Sequence, residues 1–385
     1  MSRAVRLPLP LPLFINGKYT AQRTTGVQRV AARLVLALDA LLVEDPAAAQ
    51  ALGPVTLLCP PQGVPPALRH IRARTVGVVA LPLHLWEQAV LPWAARGGRL
   101  LSLAGAAPYW ARRPAALLHD AAVWDHPEAY TPAFVRWYRL LFARQARVAQ
   151  PLLTVSAFSQ QRLAACLGLP PQRLQVLHNG ADHLAAVAPD DTLLRQHGLQ
   201  PGGFLLAVAN ANPTKNLEAL VRAHAALPAR LALPLVIVGG HNPRVFRDGT
   251  GAAAPAAAAP VLRVGVQGDA ALKALYGAAA ALVFPSVYEG FGLPPLEAMG
   301  QGCPVLAARA ASLPEVCGDA ALYCDPADPA DMARALVQLL DDPALRQRLR
   351  AAGPVQAARY TWSASARGLL AALLPAGQAG DGSRA

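Results

Sequence analysis

Two glutamates carry most of the chemical information in this chain. Glu289 and Glu297 stand with seven residues between them in the stretch Val283-Phe-Pro-Ser-Val-Tyr-Glu-Gly-Phe-Gly-Leu-Pro-Pro-Leu-Glu-Ala-Met-Gly-Gln-Gly-Cys-Pro-Val305. The apolar run before them reads as a buried strand that breaks at Pro285-Ser286 into a glycine-bearing turn. A helix follows with Pro294-Pro295 at its start, where a missing N–H costs nothing. Gly290, Phe291 and Gly292 leave backbone amides uncovered where the helix N-terminus points its partial positive charge, an arrangement suited to an anion. Carboxylates beside an anion site suit neutral hydroxyls, so the expected ligand is a sugar carried on a diphosphate. Taken singly, each glutamate has an ordinary reading: Glu297 as a complement to the helix dipole, worth about 0.3–1 kcal/mol, and Glu289 as a loop charge. The pair within its string is more specific than either alone.

Three further segments place polar residues where strands end. Asn210-Ala-Asn-Pro-Thr-Lys-Asn-Leu217 follows an apolar run and opens a helix, and Lys215 at that entrance can meet a diphosphate as a point charge or simply be solvated. Ile15-Asn-Gly-Lys-Tyr-Thr-Ala-Gln-Arg-Thr-Thr-Gly-Val-Gln-Arg-Val30 reads as strand, glycine loop and helix. Leu118-His-Asp-Ala-Ala-Val-Trp-Asp-His-Pro127 puts His119 and Asp120 at the end of another strand.

The 283–305 string resembles the nucleotide-sugar site of retaining glycosyltransferases with the GT-B fold, in the large family that includes sucrose synthases and bacterial mannosyltransferases. Its continuation, Ala311-Ser-Leu-Pro-Glu-Val-Cys-Gly-Asp-Ala-Ala-Leu-Tyr-Cys-Asp-Pro326, is similar to that family as well. Thr25-Gly-Val-Gln-Arg29 and His119-Asp120 resemble the bacterial O-antigen and exopolysaccharide branch. The resemblance covers residues 14–362 and implies two doubly wound Rossmann-like domains facing a cleft. It implies that Glu297 holds the ribose hydroxyls and Glu289 the 3- and 4-hydroxyls of the sugar. Lys215 and the amides of Gly290, Phe291 and Gly292 would take the diphosphate, with Gly26, Asn210, Val266 and Leu293 also lining the donor site. His119 would bond the transferred sugar, and Arg23, Gln28 and Asp120 would meet the acceptor, Arg29 being a weaker candidate that could equally solvate a helix face. Where the family usually carries an arginine, this chain has Asn210, one cation fewer on the diphosphate.

The elements that must position these residues alternate as βα units, an α/β pattern. Strands are expected over 11–15, 55–59, 75–80, 100–103, 115–118, 152–155 and 176–177. A second set is expected over 204–208, 235–238, 261–266, 281–284, 305–307 and 322–323. Helices are expected over 26–42, 131–149, 156–167, 328–340, 343–353 and 363–374, the last crossing back to the first domain by family resemblance. The expected division is an acceptor domain over 1–185, a linker over 186–200 (185–200 by its local pattern), a nucleotide-sugar domain over 201–362, and a crossing helix with a frayed tail over 363–385. The alanine-rich stretch 248–260 reads as a mobile loop.

At 385 residues, 54% of them hydrophobic and 15% charged, the chain has apolar surface enough for more than one core. No run approaches the roughly 18 apolar residues of a membrane span, and the prolines near the N-terminus argue against a signal peptide. The five cysteines form no metal spacing and read as free thiols in a reducing cytosol. Charge is uneven: residues 1–185 carry +11 of the net +12. With scattered arginines and no nucleic-acid signature, that asymmetry points to an anionic membrane surface bearing a diphosphate-linked lipid acceptor.

These features lead to a cytoplasmic, metal-independent, retaining hexosyltransferase at the inner face of a membrane. It uses no cofactor, binds no nucleic acid, and takes a nucleotide-diphosphate sugar, GDP-mannose first, with UDP-glucose and dTDP-rhamnose behind. Its acceptor is a glycan or a lipid-diphosphate-linked sugar, and its product a surface glycan. An epimerase of the same fold and a nucleic-acid-binding protein are the alternatives. A phosphorylase would need a pyridoxal lysine, and none of Lys18, Lys215 and Lys273 lies in such a motif.

Overall fold

Short apolar runs, too brief for helices and flanked by turn residues, become strands buried on both faces, as parallel sheets require. The computed structural model describes residues 10–79, 81–210, 212–240 and 259–374. The first sheet holds seven parallel strands: β1 (Leu13–Asn16), β2 (Val55–Cys59), β3 (Arg72–Thr75), β4 (Arg99–Ser102), β5 (Pro114–Leu118), β6 (Leu152–Thr154) and β7 (Gln175–Val176). Their order is β3-β2-β1-β4-β5-β6-β7. The second sheet holds six: β8 (Leu205–Val208), β9 (Leu235–Val238), β10 (Val261–Gly265), β11 (Ala281–Phe284), β12 (Val305–Ala308) and β13 (Leu322–Cys324). Their order, β10-β9-β8-β11-β12-β13, is the doubly wound arrangement. In such sheets ligands bind outside the carboxyl ends of the strands. The two sets of carboxyl ends meet each other here: the loop after β5 touches the loop after β11, and the loop after β1 touches the ends of β9 and β10.

One strand departs from expectation. The run 75–80 was the expected third strand, but the pairing segment is Arg72–Thr75, exposed at every residue. Gly77, at φ +92°, turns the backbone just past it, and Val78 and Val79 are exposed. An edge strand of alternating arginines is a common way to keep a sheet edge from pairing with another chain. A helical run over residues 83–94 was not expected. It survives by widening at Trp86–Val90, where the Leu91 N–H bonds the Trp86 carbonyl. Pro92 supplies no N–H for the ordinary ladder, and this wider turn accommodates it. The expected linker carries a short helix, Thr192–Gln196. Residues 1–9, most of the 248–260 stretch and the tail 375–385 lie outside the described residues.

The final helix, Trp362–Leu373, does cross back: it packs along the first helix, Gly26–Glu44. Thr361 caps its start by accepting from Ala364 N. Its entry is tied to the turn at 179–183, where Ala181 N donates to Tyr360 O at 2.9 Å and Trp362 N to Asp182 Oδ1 at 2.9 Å. Gly180 is required in that turn, because a Cβ there would lie 2.2 Å from the Trp362 nitrogen. Backbone cannot yield as a side chain would. Gly180→Ala is therefore expected to lower stability by about 1–3 kcal/mol in urea or thermal unfolding, the cost of overpacking, and an unchanged midpoint would show the crossing helix to be loosely seated.

Candidate active site

The loop leaving β11 builds the centre of the site. Gly292 sits at φ +102°, where only glycine is comfortable, and caps the helix Leu293–Gly300. Ser312 Oγ lies within hydrogen-bonding distance of the carbonyls of Glu289 (3.0 Å) and Phe291 (2.9 Å), which fixes the loop from below. Glu289 Oε1 accepts from Lys215 Nζ at 2.6 Å, with both side chains mostly buried. Lys215 ends a short turn, Pro213–Lys215, whose geometry is set by Asn216 in the left-handed region at φ +55°. Asn216 Nδ2 donates to Pro326 O at 2.8 Å, and Val287 N to Thr214 O at 2.9 Å, so the lysine turn and the glutamate loop are one rigid piece.

Gly290 is where the two halves touch. A Cβ on it would meet the His119 carbonyl at 2.4 Å and the Asp120 Cβ at 3.1 Å. The Gly290 carbonyl accepts from Ser156 Oγ at 2.6 Å and Ser159 Oγ at 3.0 Å, both from the first half of the chain. His119 Nε2 donates to Leu103 O at 2.8 Å, which leaves Nδ1 as an acceptor. Burial pushes its pKa down to about 4. Burial raises the Asp120 carboxyl, Glu289 adds to that, and the Ala122 amide and Lys215 oppose it. The structure thus gathers His119, Asp120, Lys215, Glu289 and Gly290, residues from three separate segments, at one point.

Glu297 lies deeper, 4% exposed. Its Oε1 is 3.2 Å from His183 Nε2, and its Oε2 accepts from Tyr276 Oη at 2.9 Å. Burial would push this carboxyl up, but hydrogen bonds from His183 and Tyr276 and the nearby Arg29 charge hold it below the ordinary range. Arg29, expected at the acceptor or in solvent, does neither: it pairs with Asp269, as Arg33 does at 2.7 Å, linking the first helix to the second half of the chain.

The remaining expected residues line the loops around this centre. Gly26 opens the first helix and is exposed, with free space where a Cβ would stand. Arg23, expected at the acceptor, has its guanidinium against Gly240, alongside Val266, on the side of the second sheet. Gln28 bonds within its own loop, to Thr25 and to Gln22 Oε1 at 3.3 Å. Asn210 accepts from Asn212 N at 3.2 Å, shaping the loop before Lys215. Leu293 and Phe291 are buried beneath the glycine loop.

Sequence reasoning missed a second polar cluster. Lys18 Nζ pairs with Glu87 Oε2 at 2.6 Å, and Asn16 Nδ2 bonds Glu87 Oε1 at 3.0 Å and Ser102 Oγ at 3.3 Å, all buried at the carboxyl ends of β1 and β4. It sits one strand from His119, which bonds the next residue of that same β4 end, Leu103. Nothing local marks it, since Glu87 lies in the widened helical turn. His183 was missed too, although it adjoins the Asn179-Gly-Ala-Asp182 turn. Among the described residues no group of three His, Cys, Asp or Glu is placed to hold a metal ion.

Comparison with known proteins adds the following. Residues 191–356 match the family described as glycosyl transferases group 1. The chain is 31% identical over 271 residues to the O-antigen chain mannosyltransferase B of Escherichia coli, spanning 66% of this chain and 68% of that one. It is 30% identical over 232 residues to the serotype-specific mannosyltransferase WbdA of Escherichia coli, covering 59% of this chain but 27% of that longer protein. Its fold is similar to that of Anabaena HepE solved with UDP and glucose, at TM-score 0.67 and 16% identity, covering 94% of this chain and 99% of that one. The two doubly wound halves of this chain form the GT-B fold.

His119, partly buried at the end of β5, gives a test of this geometry. Its pKa is lowered on folding, so the unfolded chain takes the proton first. The stability it contributes is complete above about pH 6.5 and falls as pH drops toward 4, by on the order of 3 kcal/mol. His119→Gln should remove that part of the acid sensitivity in unfolding curves measured from pH 7 to 4. A stability difference between variant and parent that stays constant with pH would show that His119 is not buried in this way.

Proposed function

We propose, because the chain belongs to the group 1 glycosyl transferases, that it moves mannose with retention of configuration from GDP-mannose to a growing surface glycan. Glycosyltransferase activity follows from the family; the donor, the stereochemistry and the site roles are the proposal. Mannose is favoured by the mannosyltransferases of Escherichia coli to which the chain is similar.

One observation carries the site assignment: the Lys215–Glu289 pair stands at a glycine loop that touches His119 and Asp120 across the cleft. Glu289 offers acceptor oxygens to sugar hydroxyls, and His119 Nδ1 offers another from the opposite wall. When a diphosphate enters, Lys215 and the loop amides stabilise the charge that grows on it as the sugar departs. No metal is then required for that charge. The departing phosphate takes the acceptor's proton on the face it leaves, which preserves configuration. Glu297 holds the ribose.

Incubation with GDP-mannose, UDP-glucose and dTDP-rhamnose in the presence of a mannosylated lipid-diphosphate acceptor tests this. Transfer from GDP-mannose should dominate, persist in EDTA and give an α-linked product by NMR. Lys215→Ala should lower kcat about 10²–10³-fold, the scale for loss of one electrostatic stabiliser, without changing donor preference. Transfer only from another donor, or a β-linked product, would refute the corresponding part.

The first half of the chain is also proposed to rest on the cytoplasmic face of an anionic membrane. Among the described residues no helix is long and apolar enough to cross one. However, Trp93 and Trp110 are 65% and 72% exposed, and Arg96 lies over the Trp93 ring at 6.0 Å. Exposed tryptophans with neighbouring arginines suit the headgroup region, each arginine adding about 1 kcal/mol near an anionic leaflet. The protein should float with phosphatidylserine vesicles at low salt, less at high salt, and less again after Trp93→Ala with Trp110→Ala. Equal recovery on neutral vesicles would leave the charge without this role.

A further inference from the structure

The geometry points to His183 as the residue that positions Glu297 for the ribose of the donor, a role that rests on Glu297 meeting that ribose as proposed above. His183 belongs to the short turn Asp182–Leu184, between the two sheets, and its side chain is 1% exposed. Trp362 Nε1 lies 3.4 Å from His183 Nδ1. An indole N–H can only donate, so Nδ1 must accept, and the ring proton sits on Nε2. Nε2 lies 3.2 Å from Glu297 Oε1, with Arg29 Nη1 3.1 Å from the same nitrogen. A guanidinium can only donate, so of these two neighbours Glu297 alone can accept the Nε2 proton.

A carboxylate has about four acceptor positions, two on each oxygen. His183 takes one on Oε1, and Tyr276 takes one on Oε2. One position is left on each oxygen, matched to the two adjacent hydroxyls of a ribose, each of which donates one hydrogen. Without His183 the carboxylate could rotate about its last bond and lose this pairing. Arg29 adds its charge from beside His183, but its guanidinium is bonded to Asp269 and makes no hydrogen bond to Glu297 among those described. His183 thus does for Glu297 what outer hydrogen-bond partners do for metal ligands: it sets orientation without touching the ligand.

A positioning role predicts a defect confined to the ribose hydroxyls, whereas a structural role predicts a general one. Calorimetry with GDP and 2′,3′-dideoxy-GDP, and in parallel with UDP and its dideoxy analogue, separates the two. Wild-type protein should prefer the ribonucleotide. His183→Leu should shrink that preference by roughly tenfold or more, the scale of a hydrogen bond to a charged group, while binding of the dideoxy form changes little. His183→Gln, whose amide N–H can reach the position of Nε2, should restore most of it. Tyr276→Phe, which removes one hydroxyl from the other oxygen, should reduce the same preference and serves if the leucine variant does not fold. Equal weakening of both nucleotides, or an unchanged preference in every variant, would overturn the assignment. Wild-type binding that ignores the missing hydroxyls would overturn the placement of ribose on Glu297 instead, and failure to bind any nucleotide would overturn the proposed function.

Discussion

The contact on which the site depends is the seating of Gly290 against the His119 carbonyl. No side chain could stand there, so the loop after β11 can come close enough for Glu289 to face His119 and Asp120. The approach is held by hydroxyls and a carboxylate. Ser156 and Ser159 reach the Gly290 carbonyl, while Glu315 from the second half accepts from Ala157 N at 2.8 Å and Phe158 N at 2.9 Å. Those two amides open the helix Ala157–Leu167, whose third N–H, on Ser159, is taken by Ser156 Oγ at 3.0 Å. The same helix start therefore supplies Ser156 to the glycine loop and receives Glu315 from the helix Leu313–Cys317. Burial raises the Glu315 carboxyl, but His178 and the two amides outweigh this and keep it ionised at lower pH than usual.

The electrostatics are arranged so that each buried carboxylate has a donor before any ligand arrives. An unpaired charge in such a place would shift its pKa and neutralise. Glu289 has Lys215, Glu297 has His183 and Tyr276, Glu87 has Lys18 and Asn16, and Asp39 accepts three backbone amides at 69–71. Glu289 and Glu297, so oriented, keep acceptor positions for further donors. Lys215 is the exception in kind, since its bond to Glu289 must be shared when a diphosphate takes part of its charge.

Much of the fold could be read from the chain because parallel strands announce themselves. The runs at 55–59, 235–238 and 281–284 are strands to the residue, being apolar on both faces and bounded by Pro or Gly. Ser156, Asp328 and Thr361 cap their helices, as side chains of their type do. The failures share a cause. Arg72–Thr75 lacks an apolar face because it is an edge, and the 83–94 helix tolerates Pro92 through a wider turn. At the site, Glu289, Lys215 and Gly290 were legible because each follows a strand end with glycine or proline nearby, and His119 because it directly follows β5 in a His-Asp pair that resembles the family. The partners of Glu297 were not. Tyr276 and His183 lie in ordinary helical and turn sequence, and Arg29 looked like a surface residue. Only the folded arrangement of linker, first helix and last helix brings them together.

That arrangement makes the two central glutamates unequal. The partner of Glu289 comes from the same sheet's loops, and the Lys215 turn is bonded within its own half to Pro285 O and Val287 N. Its geometry should survive if the two sheets move apart. The surroundings of Glu297 come from both sides: Tyr276 from its own half, His183 from the turn between the sheets, and Arg29 from the first helix, which is clamped to Asp269. Trp362, behind His183, starts the helix that packs back on that first helix. Any opening that pulls the first helix from Asp269 must also disturb the charge around Glu297. On the proposed roles, the sugar end of the donor site is built into one half, whereas the nucleotide end depends on how the two halves are held. A donor that needs both ends satisfied at once favours the closed arrangement over the open one, and its binding energy is the natural source of that closure.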